Sequence, residues 1–426
     1  MRVLLKGGRV VDPSQGIDGN YDVLIEGNRV VKVEKNIDRV EATKVIDVSG
    51  LIVSPGFIDL HTHLREPGQE WKEDIETGSQ AAVAGGFTSV CCMANTDPVN
   101  DNPSVTKYIV DRGKEVGLCD VFPIGAITKG LKGEELAEIG LMVKAGIVAI
   151  SDDGESPRNS RVLRNAMDYA RSLGIPVFTH SEDKSLSAGG HMNEGPLSTK
   201  LGIPGMPPEA EDVGTMRDIL IAKLTGALIH VCHVSSKGAL KIIEEAKRNG
   251  VRVTCEITPH HFTLTEDAVE GFNTNAKMCP PLRTNDHVEA CRNALKKGVA
   301  DAIATDHAPH SEDEKLVEFC RAPFGIIGLQ TALPLSLNLV REGYLTLSQM
   351  IEKLSTNPSR IIGKRDIGSL KPGSRANVTV FDPEEEFVLT KEEIKSKSCN
   401  TPFLNKRLRG RVKITIYNGK IVFKDK

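Results

Sequence analysis

Hydrophobic and polar positions change their rhythm twice along this chain. Across residues 1–55, alternating runs such as Tyr21-Asp-Val-Leu-Ile-Glu-Gly-Asn-Arg-Val-Val-Lys-Val33 sit between Gly and Asn turns, which predicts short β-strands. The same rhythm returns over residues 366–426. There Arg375-Ala-Asn-Val-Thr-Val-Phe-Asp-Pro383 reads as a strand, and Lys413 to Phe423 reads as a hairpin turning at Asn418-Gly419. Neither end holds enough apolar residues for a core of its own. The two are expected to join in one small composite β-sandwich domain, which would bring both ends to one place.

Between them, over residues 56–365, strand-like runs alternate with helical periodicity. Eight β runs fall near residues 56–63, 87–95, 119–127, 147–152, 175–180, 227–233, 251–257 and 301–306. Helical segments separate most of them. Ser235-Ser-Lys-Gly-Ala-Leu-Lys-Ile-Ile-Glu-Glu-Ala-Lys-Arg-Asn-Gly250 is the clearest, with hydroxyl caps at its start and Gly past its end. Eight such units predict an α/β fold, a (β/α)8 TIM barrel, rather than an open sheet.

Composition narrows the function classes. The chain has 426 residues, 39% hydrophobic and 26% charged, with a net charge of -3. No basic patch dominates, so nucleic acid is not an expected partner. No apolar run approaches the roughly 20 residues that span a bilayer, so no membrane association is expected. The start of the chain, Met-Arg-Val-Leu-Leu-Lys-Gly-Gly, lacks the apolar stretch of a signal peptide. Nine cysteines contain no Cys-x-x-Cys pair and several lie in apolar runs, as expected for buried thiols of a reducing cytoplasmic compartment. Any metal must then be held by His and carboxylate.

A barrel concentrates function where its strands end and the βα loops begin. The apolar run Leu51-Ile-Val-Ser-Pro-Gly-Phe-Ile58 leads into Asp59-Leu-His61-Thr-His63-Leu-Arg65, in which strand alternation points His61 and His63 the same way. Strand 2 ends at Met93-Ala-Asn95, strand 4 at Ser151-Asp-Asp153, strand 5 at His180, strand 6 at His233 and strand 8 at Asp306. Taken singly, each has a plain structural role: a core histidine, a turn aspartate or a helix cap. His230, on the same strand run, rivals His233 for the ligand role. Together, four His and two Asp at strand ends suit two divalent ions, and zinc is the expected metal, one or two per chain with two favoured. His61, His63 and Asp306 would serve one ion, His180 and His233 the other, and Asp153 would bridge them.

These residues resemble the amidohydrolase superfamily, and within it dihydroorotases of the longer bacterial and archaeal type. The resemblance rests on Pro55-Gly-Phe-Ile-Asp-Leu-His-Thr-His-Leu-Arg-Glu-Pro-Gly-Gln69, Gly85-Gly-Phe-Thr88, Met93-Ala-Asn-Thr96, Ser151-Asp-Asp-Gly154, Thr305-Asp-His-Ala-Pro-His310 and Gly325-Ile-Ile-Gly-Leu-Gln330. It also includes Leu370 to Asp382, which resembles the superfamily's return strand into its β domain. The resemblance implies reversible cyclisation of N-carbamoyl-L-aspartate to L-dihydroorotate in pyrimidine synthesis. It implies the same six metal ligands, with Asp306 as the catalytic acid and base. A homodimer and association with aspartate transcarbamoylase belong to the same set of expectations. Many relatives bridge their metals with a carbamylated lysine; no lysine lies between Val148 and Arg158, which points away from a hydantoinase or allantoinase. A non-catalytic dihydroorotase-like subunit would lack ligands, and all six are present here.

An anionic substrate asks for a cationic clamp, and Arg65, placed on the strand face of His63, is the expected one. Asn95 and His310 are expected to add contacts, with a surface ion pair to Glu66 or Glu70 as the alternative for Arg65. The family's Asn before Pro-Pro-Leu-Arg is Cys279 here. Either Cys279 contacts substrate weakly, or it only packs, or Asn275 replaces it. The charged stretch Ser311 to Cys320 is expected to be a mobile lid.

Overall fold

Eight parallel strands in chain order build the central sheet of the computed structural model, which describes residues 2–425. They are β1 (Phe57–Thr62), β2 (Phe87–Cys92), β3 (Asp120–Gly125), β4 (Ala149–Ile150), β5 (Val177–Thr179), β6 (Ile229–Val231), β7 (Val253–Ile257) and β8 (Ala302–Ile303). Helices on the outside connect them. The run expected after β6 is helical over Lys237–Arg248, with Ser236 capping Ala239 N and Gly250 at φ 74° just past its end.

Beyond β8 the sheet closes on β1. Thr62 bridges to His307 in parallel register, and His63 N donates to His307 O at 2.8 Å. The buried Asp59 carboxylate adds a side-chain tie, accepting from Thr305 N at 3.0 Å and Thr305 Oγ1 at 2.6 Å. Burial pushes Asp59 up to about 7 against these hydrogen bonds. Its place in the Asp-x-His-x-His run is therefore structural: it joins the two strand ends that carry His61, His63 and Asp306.

The chain ends build two further sheets. One has six strands in the order Lys420–Lys424, Arg407–Tyr417, Val378–Val388, Ile52–Pro55, Arg9–Asp12 and Ile17–Asn20, so segments from both ends interleave. The other has four, in the order Arg29–Glu34, Asp22–Glu26, Arg2–Lys6 and Lys44–Asp47. Val3, Leu5, Val23 and Ile25 of the second sheet pack with Val10, Val53, Val378 and Ile416 of the first in one buried cluster, which is a sandwich core. Asn418 and Gly419 both have positive φ, as the hairpin requires. A Cβ at Gly419 would also lie 1.8 Å from Gly27 O.

The sandwich is fastened to the barrel near the start of β1. Phe381 packs 6.1 Å from Phe57, which meets Phe87 edge-on at 5.8 Å, and all three rings are buried. Thr415 Oγ1 donates to Val83 O at 2.7 Å across the same junction. No helix among the described residues is long and apolar enough to cross a membrane.

Because Phe381 comes from a sandwich strand yet packs in the barrel's core, Phe381→Ala should cost about 3–5 kcal/mol in urea unfolding. A loss below about 1 kcal/mol would mean that the sandwich and barrel are not coupled through this ring.

Candidate metal centre

The expected residues converge at the C-terminal mouth of the barrel, and Asp153 lies in their midst. Its Oδ1 is 3.4 Å from His61 Nε2, 3.4 Å from His233 Nε2 and 3.7 Å from His180 Nδ1; its Oδ2 is 3.5 Å from His63 Nε2. Asp306 Oδ1 stands 3.1 Å from His63 Nε2 and 3.5 Å from His61 Nε2. All six side chains are buried.

Neighbouring strands fix this geometry. Asp152 accepts from Ile127 N at 2.8 Å and Thr128 N at 3.0 Å, which anchors the turn after β4 to the loop after β3 and aims Asp153 inward. His61 Nδ1 donates to Glu256 Oε1 at 3.1 Å, and His63 Nδ1 donates to Asn95 Oδ1 at 2.9 Å. Each bond takes the ring's proton on Nδ1 and leaves the Nε2 lone pair facing the centre. His180 is turned the other way: Nε2 donates to Glu182 Oε2 at 3.2 Å, and Nδ1 faces His233 Nε2 at 3.0 Å.

This donor set fits divalent cations. His61 Nε2 is buried without a hydrogen bond, and the nitrogens of His180 and His233 converge. His61, His63 and Asp306 present one compact trio; His61, Asp153 and His233 present an overlapping one. The electrostatics agree. Burial opposes charge on Asp153, yet His61, His180 and His233 outweigh it and hold the carboxyl well below its usual range. Burial likewise opposes a proton on His61, while Asp153 and Asp306 raise its pKa well above normal. A field that draws protons onto imidazole nitrogens also draws metal cations to them.

Three site residues sit in strained backbone: Arg65 at φ 61°, His233 at φ 36° and Asp306 at φ 49°. This corrects one expectation. β1 ends at Thr62, so Arg65 does not reach the site by strand alternation; a left-handed turn brings it there. The turn continues into Gly68, at φ 97°, where a Cβ would lie 1.8 Å from Asp97 O.

Arg65, Asn95, Cys279 and His310 line one cavity of about 510 Å³ together with Asp153, Asp306, His63, His180 and His233. Arg65 is buried; Nε donates to Pro309 O at 3.2 Å, and Nη2 lies 3.3 Å from His310 Nε2. Among the described residues no carboxylate pairs with it. Glu66 instead accepts from Ile75 N and Tyr108, and Glu70 accepts from Gly68 N. Burial pulls the guanidinium down to about 10, against the attraction of Asp306. His310 Nε2 donates to Phe324 O at 2.8 Å.

Other expectations are corrected or resolved. The Oδ1 of Asn95 is taken by His63, which leaves its amide N–H groups for a ligand. Asn275 lies in a short 3-10 turn, Thr274–Ala276, and does not line the cavity. His230 uses both nitrogens elsewhere, on Glu256 Oε2 at 3.0 Å and Thr254 Oγ1 at 2.8 Å. In and beside the stretch after His310, buried Lys315 donates to Pro323 O at 2.7 Å, and buried Lys277 donates to Phe319 O at 2.8 Å and Ala322 O at 2.6 Å. Arg283, at the end of Pro-Pro-Leu-Arg, pairs with buried Glu211 at 3.3 Å and donates to Met206 O at 2.9 Å. Sequence reasoning missed Glu256, Glu182, Lys184, Lys277 and Lys315. Only Glu256, inside an apolar β run, carried a signal.

Comparison with known proteins agrees with this geometry. The family described as Dihydro-orotase-like matches residues 50–239, and the Amidohydrolase family matches residues 228–423. The chain is 53% identical over 424 residues to "Dihydroorotase" of Geobacter metallireducens, covering 100% of both chains. It is 49% identical over 426 residues to "Dihydroorotase" of Syntrophus aciditrophicus, again covering 100% of both. Among solved structures, L-hydantoinase (dihydropyrimidinase) from Arthrobacter aurescens superposes with a TM-score of 0.88 at 24% identity, covering 99% of this chain and 96% of that one. D-hydantoinase from Bacillus sp. AR9 gives 0.85 at 26% identity, covering 99% and 95%.

Glu256 holds His61 from behind the cavity, so Glu256→Gln should weaken metal retention by about 10–100-fold against a competing chelator. Unchanged retention would remove Glu256 from the account.

Proposed function

The chain belongs to the dihydroorotase family of amidohydrolases, and from that premise we propose that it interconverts L-dihydroorotate and N-carbamoyl-L-aspartate at the barrel mouth, with zinc as its metal. The observation that carries this reading is the buried Arg65 guanidinium, which lines the same cavity as five of the six candidate ligands and pairs with no carboxylate among the described residues. A cyclic substrate bearing a carboxylate can supply that partner. Hydantoin, which has no carboxylate, cannot.

His61, His63 and Asp306 would hold one ion and His180 and His233 a second, with Asp153 shared between them. Bound there, zinc supplies Lewis acidity, which polarises a carbonyl and lowers the pKa of water towards about 7. The protein's own groups do the rest. Arg65 grips the substrate carboxylate with parallel N–H donors, and Asn95, lining the same cavity, offers its amide N–H groups. Both imidazole contacts of Asp306 fall on Oδ1. Oδ2 is then the atom that takes the proton of the attacking water and returns it to the ring nitrogen as the C–N bond opens. Cyclisation runs the same proton path backwards.

Burial opposes charge on Asp306, but His61 and His63 outweigh it and hold the carboxyl below the usual carboxylate range, so Asp306 enters the reaction ionised, as a base. Asp306→Asn should therefore lower kcat by about 100-fold or more. Arg65→Met should raise KM for dihydroorotate by about 10-fold or more, since a charged hydrogen-bonded contact is worth about 1.5–3 kcal/mol. Steady-state hydrolysis of dihydroorotate beside hydantoin checks both. Full turnover in the first variant, or an unchanged KM in the second, would overturn the assigned role, and preference for hydantoin would overturn the substrate.

A further inference from the structure

His180 has two edges, and only one faces the centre described above. Its Nδ1 looks towards His233 and Asp153. Its Nε2 looks along the cavity wall, 3.2 Å from Glu182 Oε2 and 3.8 Å from Cys279 Sγ. The donor atoms of His180, Glu182 and Cys279 all lie within 4.8 Å of one another. Both His180 and Glu182 are buried, Cys279 is half-buried, and all three line the cavity.

We propose that His180 Nε2, Glu182 and Cys279 form a separate cation site in the cavity wall, selective for thiophilic ions such as cadmium or excess zinc, whose occupation obstructs the cavity. A tetrahedral ion with metal–sulfur bonds of about 2.3 Å and metal–nitrogen or metal–oxygen bonds of about 2.0–2.1 Å spaces its donors about 3.3–3.6 Å apart. The observed 3.2 and 3.8 Å lie close to that spacing. The fourth position opens to the cavity. Thiolate, imidazole and carboxylate in one set favour zinc and cadmium over magnesium or calcium, which prefer oxygen alone.

The site already attracts a positive charge. Lys184 Nζ stands 2.8 Å from Glu182 Oε2 and donates to Gly154 O at 2.9 Å. Its side chain is 21% exposed, so it can swing to solvent when an ion takes its place. Lys184 thus acts as a built-in competitor. Binding exchanges its ammonium for the metal and releases the proton of the Cys279 thiol and that of His180 Nε2 to solvent. No oxidation or other covalent change is involved.

This inference goes beyond the proposed reaction and does not depend on its substrate. The test adds cadmium to the intact, metal-loaded chain, reading the ultraviolet thiolate-to-cadmium charge-transfer band and the bound cadmium after equilibrium dialysis. The ligands assigned to the main centre contain no sulfur, so cadmium exchanging into it gives no such band. The expected result is a band that saturates with one equivalent, disappears in Cys279→Ser and persists when exposed Cys320 is changed to Ser. Lys184→Met should shift the titration to lower cadmium concentration. Retention of the main-centre metal by Cys279→Ser shows that the variant is folded. No band in the parent chain, or a band that survives Cys279→Ser, would overturn the proposal, whether or not dihydroorotate proves to be the substrate.

Discussion

One buried carboxylate organises the mouth of this barrel. Asp153 stands within 3.4–3.7 Å of nitrogens from four histidines at or just past the ends of β1, β5 and β6. Four imidazoles packed this closely without an anion would have to remain neutral, because burial penalises each added charge. With Asp153 and Asp306 present, the balance reverses and the cluster becomes a cation trap. Asp153 keeps that place because Asp152, beside it, is bonded to two backbone N–H groups of the preceding loop. Glu256 works similarly one layer out: its two oxygens hold His61 and His230, so one side chain of β7 sets a ring on β1 and a ring on β6.

Strain is concentrated where the chain leaves these strands. Arg65, His233 and Asp306 all adopt positive φ, a conformation that costs a non-glycine residue of order 1 kcal/mol or more. Hydrogen bonds hold two of these turns: Pro309 O grips Arg65, and Asp59 ties Thr305, next to Asp306, back to β1. The result is a mouth in which the candidate metal ligands and the Arg65 guanidinium share one cavity. The sandwich supports that mouth from below, through Phe381 against Phe57 at the start of β1.

Much of this was legible in the sequence because a barrel converts chain order into position. A ligand at the end of each strand run reads as a ligand at the mouth, and His61, His63, Asp153, His180, His233 and Asp306 do meet there. The α/β barrel and the interleaved sandwich followed from strand rhythm in the same way. What could not be read depends on partners from other strands. That Asn95 Oδ1 is taken by His63, that His230 serves Glu256, and that Arg65 arrives by a left-handed turn are facts of cross-strand geometry, which spacing along one strand does not encode. The buried ammonium groups of Lys277 and Lys315 were also hidden, since Lys in a polar stretch reads as solvent-facing until its carbonyl partners are known.

The proposed centre holds two metal ions joined through Asp153, and X-ray absorption spectroscopy of the zinc-loaded chain at the zinc edge addresses that directly. The expected result is two zinc ions per chain, nitrogen and oxygen donors at about 2.0–2.2 Å, and a zinc–zinc scattering path at about 3.5–4 Å. A single zinc per chain with no metal–metal path, at full occupancy of the loaded protein, would contradict the bridging role of Asp153.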